Sequence, residues 1–224
     1  MKATRTVVFD LDGTLLDTLE DLHLSVNAAL ASCGLPPRGL DEVRAFVGNG
    51  IVLLMRRAVG GRLDEAGEAA ALEAFKRHYA EHCDDHTAPY PGIPALLAEL
   101  RRAGVRMAVV SNKADFAVQQ LVEARFPGAF DAVVGEDEAR GVRKKPAPDM
   151  VGVALGRMGL DRDAADVTYV GDSEVDVQTA RAFGCPCVSC TWGFRSVDEL
   201  LAAGATTLVD DAGELGRALL AGEK

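Results

Sequence analysis

The pattern of apolar residues divides the chain into a first strand, a helical stretch and a second half in which strands and helices alternate. Val7, Val8 and Phe9 form a short continuous apolar run. Such a run, bounded by polar turn residues, is typical of a strand buried on both faces of a parallel sheet. Apolar residues then recur at helical spacing from about residue 17 to about residue 87, with helices expected near residues 19–30, 40–46, 51–59 and 65–83.

The pattern changes at Tyr90-Pro91-Gly92, a cluster of turn residues. The pattern beyond it predicts strands at 105–110, 132–134, 167–170 and 186–190, and helices at 93–103, 115–124, 148–158 and 174–183. Alternating strands and helices imply right-handed crossovers and a parallel sheet. We therefore expect an α/β fold with a doubly wound, Rossmann-like parallel sheet and an inserted all-helical cap. Residues 1–16 and 88–224 would form the α/β core domain, and residues 17–87 the helical cap domain.

Two carboxylates follow the first strand. Asp10 lies where the apolar run ends, and Asp12 is two residues further on. Positions i and i+2 of an extended chain point the same way, so both carboxylates are directed at one place beyond the strand. Open α/β sheets bind ligands at this edge. Gly13 allows close backbone approach, and Thr14 offers a hydroxyl donor.

Polar residues also follow the other strands predicted for the sheet. Ser111-Asn112-Lys113 comes after the 105–110 strand, and Gly171-Asp172-Ser173 after the 167–170 strand, with Asp176 one helical turn later. Lys144-Lys145-Pro146 precedes the 148–158 helix. Each group has an ordinary alternative, namely helix caps or a solvated loop. Their joint occurrence at one sheet edge favours a binding site.

The charges at this edge indicate a cation. Asp10, Asp12, Asp172 and Asp176 repel one another, and a phosphate monoester would add roughly 1.5 to 2 further negative charges. Carboxylate oxygens are hard ligands, which favour Mg²⁺ over Zn²⁺. A lysine and helix N-termini would offset part of the remaining charge.

Composition excludes several classes of partner. The chain has 224 residues, 48% of them hydrophobic, and a formal net charge of −10. Such a negative charge disfavours nucleic acid and anionic membrane surfaces as partners. No apolar run approaches transmembrane length, and Arg5, Asp10 and Asp12 interrupt any signal-peptide pattern. We therefore expect a cytoplasmic protein with no membrane partner.

In this order, the motifs Asp-Leu-Asp-Gly-Thr, Ser-Asn, Lys-Pro and Gly-Asp-Ser-x-x-Asp resemble the four motifs of the haloacid dehalogenase superfamily. The resemblance covers essentially the whole chain, and the helical insertion is similar to the cap of subfamily I. Further stretches resemble the bacterial phosphoglycolate phosphatases, namely Val47-Gly48-Asn49-Gly50, Pro89-Tyr90-Pro91-Gly92, Ser111-Asn112-Lys113, 144–149 and Gly184-Cys185-Pro186. Thr191-Trp192-Gly193-Phe194 departs slightly from the usual aromatic residue of those enzymes.

The resemblance implies a role for each motif residue. Asp10 would be the nucleophile that forms an aspartyl phosphate, and Asp12 would protonate the leaving group and then activate water. Mg²⁺ would be held by the Asp10 side chain, the Asp12 main-chain carbonyl and Asp172. Asp176, with Ser173 beside it, would orient a water molecule or the lysine. The phosphate would be bound by Gly13, Thr14, Ser111, Asn112 and Lys145, and the cap loop Gly48, Asn49, Gly50 would reach the substrate.

The expected function is hydrolysis of a small phosphate monoester, with phosphoglycolate first, by a monomer or homodimer. Within the superfamily, β-phosphoglucomutase, pyrophosphatase and nucleotidase activities are alternatives. A phosphoacceptor signalling domain is an alternative of a different class, since it also pairs an acceptor aspartate with Mg²⁺ and lysine. The helical insertion and the acid at Asp12 speak against it.

Overall fold

The computed structural model describes residues 4–137, 141–162 and 165–220. Its centre is a six-stranded parallel sheet in the order β5-β4-β1-β6-β7-β8. The strands are β1 Thr4–Phe9, β4 Arg106–Ala114, β5 Ala132–Glu136, β6 Ala165–Gly171, β7 Cys187–Cys190 and β8 Leu208–Val209. The predicted fold class is confirmed. The ends of the predicted core domain, residues 1–3 and 221–224, lie outside the described residues.

The first strand lies in the middle of the sheet because it pairs on both sides. Val8 lies opposite Ala108 of β4 and opposite Tyr169 of β6. All three side chains are fully buried. A strand in this position needs apolar side chains on both faces, which explains the continuous run Val7-Val8-Phe9.

The helices fall into two groups. Those that follow Gly92 pack around the sheet: α5 Ile93–Arg102, α6 Asp115–Arg125, α7 Asp149–Arg157, α8 Glu174–Phe183, α9 Val197–Ala203 and α10 Ala212–Leu220. The inserted helices are α1 Leu19–Ser32, α2 Leu40–Phe46, α3 Ile51–Val59 and α4 Glu65–His82. Helix α1 contacts the other three inserted helices, and its apolar side, including Leu22 and Val26, packs into their common interior.

The insertion is joined to the sheet by two chain segments that pair with each other. Strand β2, Leu16–Asp17, is antiparallel to β3, Ala88–Pro89. The Tyr90 N–H also donates to the Leu15 carbonyl at 3.1 Å. The entry and exit of the insertion are thus hydrogen-bonded side by side.

Two features of the fold differ from the sequence pattern. Strand β4 continues to Ala114, beyond the predicted end at Val110, and its register with β5 shifts between these two residues. The two-residue strands β2, β3 and β8 are too short for an alternating pattern. Within the described residues, no helix is both long and apolar enough to cross a membrane.

Candidate active site

Three neighbouring strands deliver polar side chains to one edge of the sheet. Asp10 follows β1 at the centre, Ser111-Asn112-Lys113 occupies the end of β4, and Asp172 follows β6. Because all three strands are parallel, their carboxyl ends meet at this edge. The predicted gathering of these motifs at one place is present in the structure.

Lys145 links two of the carboxylates. Its ammonium donates to Asp10 Oδ1 at 2.6 Å and to Asp176 Oδ1 at 2.8 Å. Burial and the nearby Asp176 carboxylate raise the pKa of the Asp10 carboxyl well above its ordinary value. Burial lowers the pKa of Lys145, but Asp10 and Asp176 outweigh it and raise that pKa well above its ordinary value. Lys145 therefore stays charged and compensates part of the acidic group.

Helix α8 begins directly behind this lysine contact. Ser173 donates to Asp176 Oδ2 from its main-chain N–H at 3.1 Å and from its hydroxyl at 2.6 Å. This capping box orients the Asp176 carboxylate, which is fully buried. Asp176 therefore lies beside Lys145, and its role in orienting a water molecule or the lysine stays a prediction.

Asp172 is held by two donors and enclosed by two glycines. The Thr14 hydroxyl donates to its Oδ1 at 3.0 Å, and the Phe194 N–H donates to its Oδ2 at 2.7 Å. A Cβ atom at Gly13 or Gly193 would lie 2.4 Å from Asp172 Oδ2. Burial, followed by the neighbouring Asp176, raises the pKa of the Asp172 carboxyl to about 7.

The donor set suits a hard divalent cation. Asp10, Asp172 and Asp176 each offer a carboxylate oxygen, and these oxygens all lie within 4.8 Å of one another. Two of these carboxyls have a pKa raised by burial and by neighbouring carboxylates, and a divalent cation bound to the three oxygens would offset that repulsion. The Asp12 carboxylate is not part of this group, and the contribution expected from Asp12 was its main-chain carbonyl.

The Asp12 side chain has partners of its own. Its Oδ1 accepts hydrogen bonds from the Thr18 hydroxyl at 2.6 Å and from the Lys113 ammonium at 2.7 Å. Asp12 thus lies just beyond the end of β1 and pairs with Lys113, whereas Asp10 pairs with Lys145.

Ser111 and Asn112, both expected to bind phosphate, are buried at this edge. The Ser111 hydroxyl accepts from the Lys113 N–H at 3.2 Å. The Asn112 amide accepts from the Lys145 N–H at 2.8 Å and donates to the Lys145 carbonyl at 3.0 Å. It also donates to the Gly48 carbonyl at 3.2 Å. In this structure Asn112 therefore positions Lys145 and a loop of the insertion.

The inserted helices cover the acidic group and, together with the sheet edge, line a partly open cavity of about 50 Å³. Its polar wall comes from the sheet edge, and its apolar wall includes Leu22, Ile51 and Leu54 of the insertion. Gly48 and Gly50 line it. Asn49 instead lines a separate open groove, where its Oδ1 accepts from Arg57 at 2.8 Å.

Arg195 fastens the insertion to the sheet edge. Its guanidinium pairs with Glu174 at 2.9 Å and donates to the main-chain carbonyls of Arg44 and Val47 at 3.2 and 2.6 Å. Only 8% of the residue is exposed. One arginine from the loop after β7 thereby spans from α8 to the loop that precedes α3.

Four residues of the site received no role from the sequence. Lys113 directly follows the Ser-Asn pair at a strand end, so its position was a usable signal. Gly193 lies between Trp192 and Phe194, in the stretch that departs slightly from the resemblance. Tyr79 lines the cavity from α4, and it reaches the site through the packing of the insertion on the sheet, for which the apolar pattern carries no signal. The contacts of Arg195 with the insertion depend on the same packing.

Known proteins match most of this chain, including the residues of the site. Residues 7–190 match the family model of the haloacid dehalogenase-like hydrolases. A phosphoglycolate phosphatase of Pseudomonas syringae pv. tomato is 37% identical over 216 residues, which cover 94% of this chain and 78% of that protein. Phosphoglycolate phosphatase 1 of Pseudomonas aeruginosa is 36% identical over 219 residues, with 94% and 78% covered.

Solved structures superpose on all or nearly all of this chain. A candidate phosphoglycolate phosphatase from Lactobacillus delbrueckii subsp. bulgaricus superposes with a TM-score of 0.91 at 40% identity, covering 100% of both chains. CbbY from Rhodobacter sphaeroides in complex with phosphate has a TM-score of 0.71 at 27% identity, with 96% of this chain and 98% of that chain covered. These relatives agree with the expected enzyme class, a phosphoric monoester hydrolase. The chain belongs to the haloacid dehalogenase-like hydrolases.

Proposed function

We propose that this protein is a Mg²⁺-dependent phosphatase that hydrolyses phosphoglycolate through an aspartyl phosphate on Asp10. The observation that carries the proposal is the Asp10 carboxylate, which is buried at the end of the central strand and held by Lys145 at 2.6 Å beside two further acidic groups. The names of the relatives support the substrate.

Asp10 and Asp172 would hold the metal, together with the Asp12 main-chain carbonyl. The metal would neutralise negative charge on the transferring phosphoryl group. Asp176 would keep Lys145 in place through their 2.8 Å hydrogen bond. Lys145 would then contact both the nucleophile and the phosphoryl group. The charges of the metal and of Lys145 would together compensate the buried carboxylates.

Asp10 needs no base to become a nucleophile, since a carboxylate is ionised at neutral pH once a cation offsets the repulsion around it. One of its oxygens forms a bond to phosphorus while the ester P–O bond breaks. The leaving alkoxide takes a proton from Asp12. Asp12 then accepts a proton from water, whose oxygen attacks phosphorus, releasing inorganic phosphate and the Asp10 carboxylate.

We further propose that residues 17–87 act as a cap on a core formed by residues 1–16 and 88–224. A cap that closes over the acidic edge excludes bulk water from the aspartyl phosphate and limits the size of the substrate. The cavity of about 50 Å³ is small beside the roughly 300–1,000 Å³ of sites for drug-sized ligands. This supports a short phosphate ester over a hexose phosphate or a nucleotide.

The test is release of inorganic phosphate from a panel of esters with Mg²⁺ present. Phosphoglycolate should exceed glycerol phosphate, a hexose phosphate and a nucleoside monophosphate in kcat/KM by at least about tenfold, which is about 1.4 kcal/mol of transition-state binding. Chelation with EDTA should stop the reaction, and added Mg²⁺ should restore it. A tenfold lead for the hexose phosphate would contradict the substrate, and full activity in EDTA would contradict the metal.

A further inference from the structure

A second buried lysine lines the cavity in addition to Lys145. The basic side chains on its wall, among the described residues, are Lys113, Lys145 and Arg195. Lys145 is engaged by two carboxylates, and Arg195 by Glu174 and two main-chain carbonyls. These two cations are therefore already compensated or hydrogen-bonded.

Lys113 has unused donors. Its side chain is 3% exposed, and within the described part of the chain its ammonium makes one hydrogen bond, to Asp12 Oδ1 at 2.7 Å. The ammonium also lies 4.7 Å from the centre of the Tyr79 ring. An ammonium carries three N–H donors, so two remain for a ligand in the cavity.

Tyr79 lines the same cavity, and its hydroxyl lacks a partner in the described part of the chain. The residue belongs to α4 of the insertion and is 3% exposed, and its hydroxyl has no hydrogen-bond partner among the described residues. Burying a hydroxyl without a partner is unfavourable. Burial raises the pKa of the phenol, so the group is a neutral donor at physiological pH. A substrate group that accepts a hydrogen bond would satisfy it.

We propose that Lys113 and Tyr79 form the subsite that binds the carboxylate of the substrate. This rests on the proposed function. The ammonium comes from the end of β4 and the hydroxyl from α4, so a carboxylate between them would be bound from the core side and from the cap side at once. Arg56 and Arg57, the two arginines of α3, do not bind the substrate carboxylate in this arrangement. Arg56 pairs with Glu68 on the surface, and Arg57 binds the Phe46 carbonyl and Asn49 outside the cavity.

The length of phosphoglycolate fits this position. Its carboxylate is separated from the ester oxygen by one methylene group. Asp12, which protonates that oxygen in the proposed mechanism, is hydrogen-bonded to Lys113. The group that binds the carboxylate therefore has to lie next to Asp12, and Lys113 does. A neutral ester of the same length would leave the lysine and the hydroxyl without a new partner, which disfavours its binding.

The experiment compares phosphoglycolate with ethyl phosphate, which has a methyl group in place of the carboxylate. The readout is the ratio of their kcat/KM values in the wild type, Tyr79→Phe and Lys113→Met. We expect Tyr79→Phe to lower the ratio about tenfold, mainly through KM for phosphoglycolate, and Lys113→Met to lower it further. Lys76→Met, which removes a surface charge from the same helix as Tyr79, and Tyr90→Phe, whose side chain lies outside the cavity lining, are the matched controls and should keep the ratio.

Tyr79→Phe is the decisive variant, since it deletes an unpartnered hydroxyl and leaves Asp12 with both of its donors. The Tm of the variant should be at least that of the wild type, because the substitution removes a buried hydroxyl that has no partner in the described structure. A wild type that prefers phosphoglycolate and a Tyr79→Phe variant that keeps the preference within twofold would overturn the subsite and leave the substrate standing. A wild type without the preference would overturn the carboxylated substrate and the subsite together.

Discussion

Gly193→Ala tests whether the acidic site depends on its close packing. Gly193 lies in the loop after β7, and its φ is outside the left-handed region, so alanine brings no backbone strain. The added Cβ would lie 2.3 Å from Asp172 Cβ and 2.4 Å from Asp172 Oδ2. The substitution therefore acts on the position of one carboxylate.

The size of the effect follows from these distances. Carbon atoms in ordinary contact are about 3.5–4.0 Å apart, so Asp172 or the loop must move by more than about 1 Å. Overpacking of this kind costs about 1–3 kcal/mol of folding free energy. A shift of about 1 Å in a catalytic group lowers turnover by about 100-fold. The movement also strains the 2.7 Å hydrogen bond from the Phe194 N–H to Asp172.

The assay is phosphoglycolate hydrolysis over a range of Mg²⁺ concentrations, together with thermal unfolding. We expect kcat to fall about 100-fold, half-maximal activation to need more Mg²⁺, and Tm to fall by about 2–4 °C for each kcal/mol lost. Gly156→Ala is the matched control, because that glycine lies in α7 with no atom within 4 Å of the added Cβ. It should be active and more stable by about 0.5–1 kcal/mol. Wild-type kcat and Mg²⁺ requirement in Gly193→Ala would refute the reasoning.

Asp10→Asn should have no measurable turnover and a native circular dichroism spectrum, because an amide is a far poorer nucleophile than a carboxylate; near-normal activity would remove Asp10 from the mechanism. Lys145→Ala should lose at least about 100-fold in kcat/KM. Lys144→Ala should lose less than about threefold, because Lys144 pairs with Glu136 at 2.9 Å and is a third exposed; the reverse order would mean that Lys144 is the catalytic lysine. Asn49→Ala should change kcat/KM for phosphoglycolate by less than about threefold, and a tenfold loss would place that amide at the substrate.

The order of strands and helices could be predicted from the sequence because apolar periodicity reports burial, and most elements are buried on one side or on both. The end of β4 could not be predicted from this periodicity. Ser111-Asn112-Lys113 is polar, so the pattern stops at Val110, yet all three side chains are buried and hydrogen-bonded within the site. Polar residues mark the end of a strand only where they contact water. Here they are buried and form hydrogen bonds with other groups of the protein.

The acidic part of the site could be predicted from the topology of the sheet. Asp10, Asp172 and Lys145 each stand at a strand end or before a helix, so topology alone brings them to one edge. Tyr79 follows Phe75 by four residues on α4 and stacks on it at 5.3 Å, which is the pattern of an ordinary core aromatic. Tyr79 lines the cavity because of how the insertion lies on the sheet, and no local pattern encodes such a relation between distant segments.

The central position of β1 has a consequence for synthesis on the ribosome. This strand is translated before its neighbours in the sheet, which are residues 106–109 and 165–170. At about 5–20 residues per second, roughly 5 to 20 seconds pass before the first of these neighbours has been translated. During that time an apolar strand with two unpaired edges is exposed to other nascent chains. The four inserted helices are translated in this interval and contact one another, so they can fold beside this strand and shield it until β4 is translated.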